Sequence, residues 1–149
     1  MRSFSFYILL FISIFFTSCG EEGSQRSTAR VLFKLDLMGV DNNLSAPYNY
    51  SIFNAPRNAG EYVGYSGLIV FNNANALGDG ELKAYDLMCP YENQPSIKIS
   101  PNESFKAICR NCNSTFDLIY NGAKLSGPSK YSLYKYSIYG NGTIFTVGN

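Results

Sequence analysis

Val31, Phe33, Leu35 and Leu37 alternate with Leu32, Lys34 and Asp36. Side chains of a strand point to opposite faces with a period of two, so this segment reads as a half-buried strand. Tyr48, Tyr50 and Ile52 repeat the period after a break at Pro47. Leu68, Ile69, Val70 and Phe71 form a short continuous apolar run, which predicts a strand buried on both faces. Residues 72–80 are rich in Asn, Gly and Asp and predict a turn or loop; residues 82–87 predict the next strand. Short strands are expected at 97–99 and 105–108, on either side of Ser100, Pro101 and Asn102. A further one at 115–120 is stopped by Asn121-Gly122, a strong short hairpin signal. Strands at 133–139 and 143–147 flank a tight hairpin at Gly140-Asn141-Gly142. No segment sustains a helical apolar period over ten residues, and neither an internal repeat nor a second domain is visible. Many short strands with close turns predict an all-β fold, a small β-barrel or sandwich.

Composition narrows the function classes. The 149 residues suit one domain, and the 12 Tyr and 11 Phe suit strands. Twelve basic against 11 acidic residues leave a net charge of +1, which argues against a nucleic-acid partner, since that needs a concentrated basic face. The chain has no histidine, so a Ser–His–Asp triad is excluded. Asp79, Asp86, Glu92, Glu103 and Asp117 are scattered, and no pair is spaced for acid–base catalysis. Asp117 reads as the support of a turn. Tyr131, Tyr134, Tyr136 and Tyr139 read either as packing residues with wet hydroxyls or as a face on which a glycan stacks.

The first thirty residues follow a different pattern. Arg2 precedes an apolar run at 6–16, broken by Ser13 and shorter than the roughly 20 residues a membrane-spanning helix needs. Length and flanks match a secretory signal segment. Phe16-Thr17-Ser18-Cys19-Gly20 resembles a bacterial lipobox, which implies a signal peptide at 1–18 and lipidation of Cys19. Gly20-Glu21-Glu22 either resembles the surface-export tag of Bacteroidota lipoproteins or begins a solvated linker. Residues 19–30 are expected to be a tether, and 31–149 the domain. The expectation is a protein anchored to a bacterial cell-envelope membrane, the outer one, by lipid rather than by a spanning helix.

The remaining cysteines lie in two short motifs. Cys89-Pro90-Tyr91 is followed, after seventeen residues, by Cys109-Arg110-Asn111-Cys112. Further matches accompany them: residues 67–71 and 82–86 before the first motif, then Ser114-Thr115-Phe116-Asp117, Gly122, Gly127-Pro128 and Leu133 after the second. In order and spacing this resembles the Rieske iron–sulfur domain, whose ligand loops read C-x-H and C-x-x-H. The resemblance implies a Rieske-like barrel or sandwich in which two hairpin loops meet at one tip. It also implies [2Fe–2S] binding and electron transfer with a redox partner. Cys89 and Cys109 would hold the inner iron, while Tyr91 and Cys112 stand where the histidines of the outer iron are expected.

Three chemistries then compete. One is a modified [2Fe–2S] cluster on Cys89, Cys109, Cys112 and Tyr91, more negative than a histidine-ligated one and lower in potential. The second has no metal: Cys89 pairs with Cys109 or Cys112 in a disulfide that staples the loops of a surface protein contacting a partner or glycan. The third is a mononuclear ion, zinc, on three Cys and one further ligand. A thioredoxin-like role for Cys109-Arg110-Asn111-Cys112 lacks the helix that lowers the thiol pKa in such motifs.

Overall fold

The computed structural model describes residues 29–73 and 81–149. The expected signal segment, Cys19, most of the expected tether and residues 74–80 of the loop expected at 72–80 lie outside the described residues. Among the described residues eleven strands run β1 (Val31–Asp36), β2 (Tyr50–Phe53), β3 (Tyr62–Val63), β4 (Leu68–Asn72), β5 (Leu82–Asp86), β6 (Ile99–Pro101), β7 (Lys106–Cys109), β8 (Thr115–Asp117), β9 (Ala123–Ser126), β10 (Lys135–Asn141) and β11 (Ile144–Gly148). The one helical element among the described residues is a 3-10 turn, Asn42–Ser45. The fold is all-β, as the alternation predicts.

Seven strands form one antiparallel sheet in the order β2-β4-β5-β10-β11-β1-β3, curled into a nearly closed barrel. The other four form a small antiparallel sheet, β6-β7-β8-β9. The period of two along β1 becomes burial: Val31, Phe33 and Leu35 point inward, while Leu32 and Lys34 face solvent. In β4 every residue is buried, because its two faces serve two cores. Leu68 and Val70 join Phe33, Leu35, Leu44, Ala84 and Val147 inside the barrel. Ile69 and Phe71 join Tyr85, Leu87, Phe116, Leu118 and Leu133 between the barrel wall and the small sheet. Tyr85 spans that second layer, and its hydroxyl donates to the Leu118 carbonyl at 2.9 Å.

Several local expectations shift. Neither β3 nor β9 was expected from the sequence, since a two-residue strand and the mixed segment Ala-Lys-Leu-Ser carry no usable period. Asn121-Gly122 does not make a two-residue hairpin. Asp117 pairs with Ala123, so the turn spans 118–122, and the Asp117 carboxylate accepts the N–H groups of Ile119 and Tyr120. Tight closure does occur in the last hairpin, where Asn141 pairs with Ile144 and Gly142 takes φ +65°. Of the four tyrosines, Tyr136 is buried with its hydroxyl 2.5 Å from the Asp86 carboxylate, and Tyr134 meets it edge-on. They pack, while Tyr131 and Tyr139 remain exposed.

Candidate metal centre

The sheet junction delivers the first motif. The Leu87 N–H bonds the Gly67 carbonyl, the Ile99 N–H bonds the Leu87 carbonyl, and Met88 bridges Lys98. The chain therefore crosses from β5 of the barrel into the small sheet at this point. Cys89 is the first residue of the loop beyond the crossing. Its N–H bonds the Ile97 carbonyl at 3.1 Å, and its carbonyl accepts the Asn93 N–H at 3.0 Å, which closes the loop on itself. Asn93 takes φ +49°, a conformation that asparagine adopts more readily than most residues. Asp86, just before the crossing, caps the Met88 N–H at 2.7 Å.

The second motif closes the β7–β8 hairpin. Ile108 pairs with Thr115, the Cys109 N–H bonds the Ser114 carbonyl at 2.9 Å, and the Asn113 N–H bonds the Cys109 carbonyl at 2.8 Å. Cys109 also pairs across the sheet with Ile99, so it stands beside the strand that Cys89 leads into. Asn111 of this loop donates to the Glu92 carboxylate of the first at 2.7 Å, a direct clasp between the two. A third segment backs the second loop. Gly127, at φ +87°, lies so close that a Cβ there would sit 2.4 Å from the Ser114 Cα, and the Ser129 N–H donates to Ser114 Oγ at 3.0 Å.

These contacts bring three sulfurs together. Ligand atoms of Cys89, Cys109 and Cys112 all lie within 4.8 Å of one another, and Cys89 Sγ is 3.6 Å from Cys112 Sγ. All three are free thiols in the structure. Cys89 and Cys109 are fully buried; Cys112 is half-buried and forms the solvent side of the group. Tyr91 is 53% exposed and turns its backbone N–H, with that of Glu92, toward the Cys89 sulfur.

The two ends of the group differ electrostatically. Burial pushes the Cys89 thiol up to about 12, against the pull of the Glu92 and Tyr91 N–H groups. Burial also opposes charge on Cys112, but the hydroxyl and N–H of Ser114, with the thiols of Cys109 and Cys89, outweigh it and hold its pKa below the ordinary thiol value. The Ser114 Oγ lies 3.2 Å from Cys112 Sγ. In the sequence Ser114 is only part of a motif match; its contact with sulfur becomes visible once the hairpin is closed.

The donor set is three soft sulfurs, which suits thiophilic ions. Zinc–sulfur bonds of about 2.3 Å arranged tetrahedrally put neighbouring sulfurs about 3.8 Å apart. The observed separations therefore fit thiolates that share one ion. No family model matches the chain, and neither the curated proteins nor the solved structures contain a match.

Proposed function

We propose that this domain holds a single thiophilic metal ion on Cys89, Cys109 and Cys112. The observation that carries the reading is the mutual approach of all three sulfurs to within 4.8 Å. A two-iron cluster distributes its terminal thiolates over two irons, and the arrangement expected from the resemblance puts Cys112 on the other iron from Cys89. The 3.6 Å contact between those two favours one shared ion instead. Tyr91 contributes its N–H to the Cys89 sulfur and is not among the three ligands of this proposal. No fourth Cys, Asp or Glu joins the trio among the described residues. The fourth position of a tetrahedral ion would then face the solvent side, beside Cys112, where a water or an exogenous ligand can enter.

The Rieske resemblance belongs to the same proposal: a Rieske-like domain whose histidine positions have been lost and whose tip has become a sulfur-only site. Bound zinc would stabilise the tip without redox chemistry of its own. The electron-transfer reading would instead require iron. Anaerobically purified full chain, titrated with cobalt or cadmium, tests the reading. We expect one ion per chain, thiolate-to-metal charge-transfer absorption, and loss of both in Cys109→Ser. Two irons and two labile sulfides per chain, with a reduced-state paramagnetic signal, would replace the single-ion site by a cluster.

We further propose that Cys19 carries lipid and holds the domain on a cell-envelope membrane. The support is the apolar run at 6–16 followed by Thr17-Ser18-Cys19. Cys19→Ala should move the protein from the membrane to the soluble fraction; continued lipid labelling of that variant would refute the anchor.

A further inference from the structure

The three thiols are not equivalent in access or in partners. Cys112 is half-buried and lies at the solvent side of the group, whereas Cys89 and Cys109 are fully buried. Cys112 Sγ meets the Cys109 thiol of its own loop and, at 3.6 Å, the Cys89 sulfur of the other loop. Cys109, by contrast, is held in β7 by its pairing with Ile99 and by the bond from its N–H to the Ser114 carbonyl. Closing a 3.6 Å contact to a sulfur–sulfur bond of about 2.05 Å takes a shift of roughly 1.5 Å. Loops can absorb such a shift more readily than a paired strand.

We propose that the site is a redox-controlled metal clasp in which a hydroperoxide oxidises Cys112, Cys89 resolves it, and the Cys89–Cys112 disulfide expels the ion. This regulation rests on the metal reading above. In the first step peroxide transfers one oxygen to Cys112 Sγ, which becomes a sulfenic acid as water, or an alcohol, departs. In the second, the Cys89 thiolate leaves the ion and attacks Cys112 Sγ; the S–S bond forms, the S–O bond breaks, and the departing hydroxide takes a proton from solvent to become water. Two thiols lose two electrons and the peroxide gains them. An ion that had three thiolates keeps only Cys109, because disulfide sulfurs are poor ligands. Reduction by a dithiol reverses the change and restores the trio.

In this proposal the pairing is the one that joins the two loops and spares Cys109, which is held in the strand β7. A Cys109–Cys112 bond would close a loop already closed by backbone bonds and would leave the two motifs unlinked. A Cys89–Cys112 bond replaces the metal as the link between motifs, so the tip remains joined in both states. Oxidation then changes what the tip binds more than whether it stays folded.

The full chain, reduced and loaded with one cadmium, is exposed to hydrogen peroxide; bound metal is followed by a chromogenic chelator, and cysteine linkages are mapped by peptide mass spectrometry after alkylation. We expect loss of at least nine-tenths of the cadmium, a Cys89–Cys112 cross-link, an alkylated Cys109, and recovery of cadmium binding after dithiothreitol. Cys109→Ser should still form the cross-link, while Cys112→Ser should leave Cys89 reduced at peroxide levels that oxidise the wild type. A Cys109–Cys112 linkage in the wild type overturns the proposed pairing without any variant needing to fold. A loaded protein that keeps its ion in peroxide overturns the control by oxidation but leaves the metal site standing. A reduced protein that takes up no cadmium overturns the metal reading, and the clasp with it.

Discussion

Inside the barrel, Phe33, Leu35, Leu44, Leu68, Val70 and Val147 fill the space with apolar side chains, and their burial supplies the stability. At the tip of the small sheet, Cys89 and Cys109 belong to the second apolar core, and the loops that carry the three thiols are fixed in addition by backbone hydrogen bonds, one Asn111–Glu92 clasp and the backing of Gly127 and Ser129. The first region tolerates approximation, because apolar surface is non-directional. The second depends in addition on directional bonds, each worth about 1 kcal/mol net. Packing alone holds the barrel; packing and directional bonds together hold the tip.

The largest test of that contrast is Phe33→Ala. It removes a fully buried ring that also stacks on Phe53 at 4.6 Å and carries Arg57 over its face. Stability should fall by about 3–5 kcal/mol in urea unfolding, with cadmium per folded chain unchanged at one. A parallel loss of metal binding in the folded fraction would show that the tip is coupled to the barrel interior. Gly127→Ala should act in the opposite place. Its φ of +87° and the 2.4 Å approach to Ser114 leave no room for a methyl group. Stability should drop by more than about 1 kcal/mol, and the displaced second loop should lower cadmium affinity. Wild-type affinity in this variant would mean the third segment does not set the loop.

Ser114→Ala is a finer probe. It deletes both the acceptor for the Ser129 N–H and the hydroxyl beside Cys112. We expect about 1 kcal/mol in stability and a 10- to 100-fold weaker metal affinity, the range seen for partners of metal ligands. Equal affinities in competition titrations would remove Ser114 from the site.

The smallest effect is a pair of opposite pH responses in the barrel. At Glu61 burial resists ionisation, but N–H groups of Asn58, Arg57 and Lys34 and the Asn58 amide prevail and hold the carboxyl below its ordinary value. Its contribution is fully present above the unfolded pKa, near 4.5, and is lost as pH falls through the lower folded value. Asp86 runs the other way: burial raises it despite the Tyr136 hydroxyl and Met88 N–H. The folded state then holds the Asp86 proton more tightly, so this group costs stability as pH rises from 3.8 through the folded value. Glu61→Gln should remove the acid loss, and Asp86→Asn should remove the opposing slope. Unfolding curves between pH 3 and 7 that keep the parent slopes in these variants would contradict the assignment.

The all-β class and most strands were legible because burial in a strand leaves a period of two. β1 is the clearest case, and the unbroken run in β4 correctly indicated burial on both faces. The same logic misses β3 and β9, which are short and have no apolar face of their own; their pairing is imposed by β1 and β8. Asn121-Gly122 does turn the chain, with both residues at positive φ and the Ala123 N–H on the Tyr120 carbonyl, but β8 ends at Asp117, whose carboxylate holds Ile119 and Tyr120, so the closure spans 118–122. At the site, the spacing of the two cysteine motifs suggested that their loops converge, but not how the third segment holds Ser114 or which thiol touches which.

By itself the amino-acid order determined an all-β chain, the absence of histidine chemistry, and three thiols in two short motifs, since each of these is a property of composition or local period. Only the tertiary structure decided that Cys89 and Cys112 meet at 3.6 Å and that Cys109 lies within the same 4.8 Å sphere. Distances between residues more than twenty positions apart in the chain depend on how two sheets join, and that join is set by the shared core of Ile69, Phe71, Tyr85 and Phe116 rather than by any local pattern.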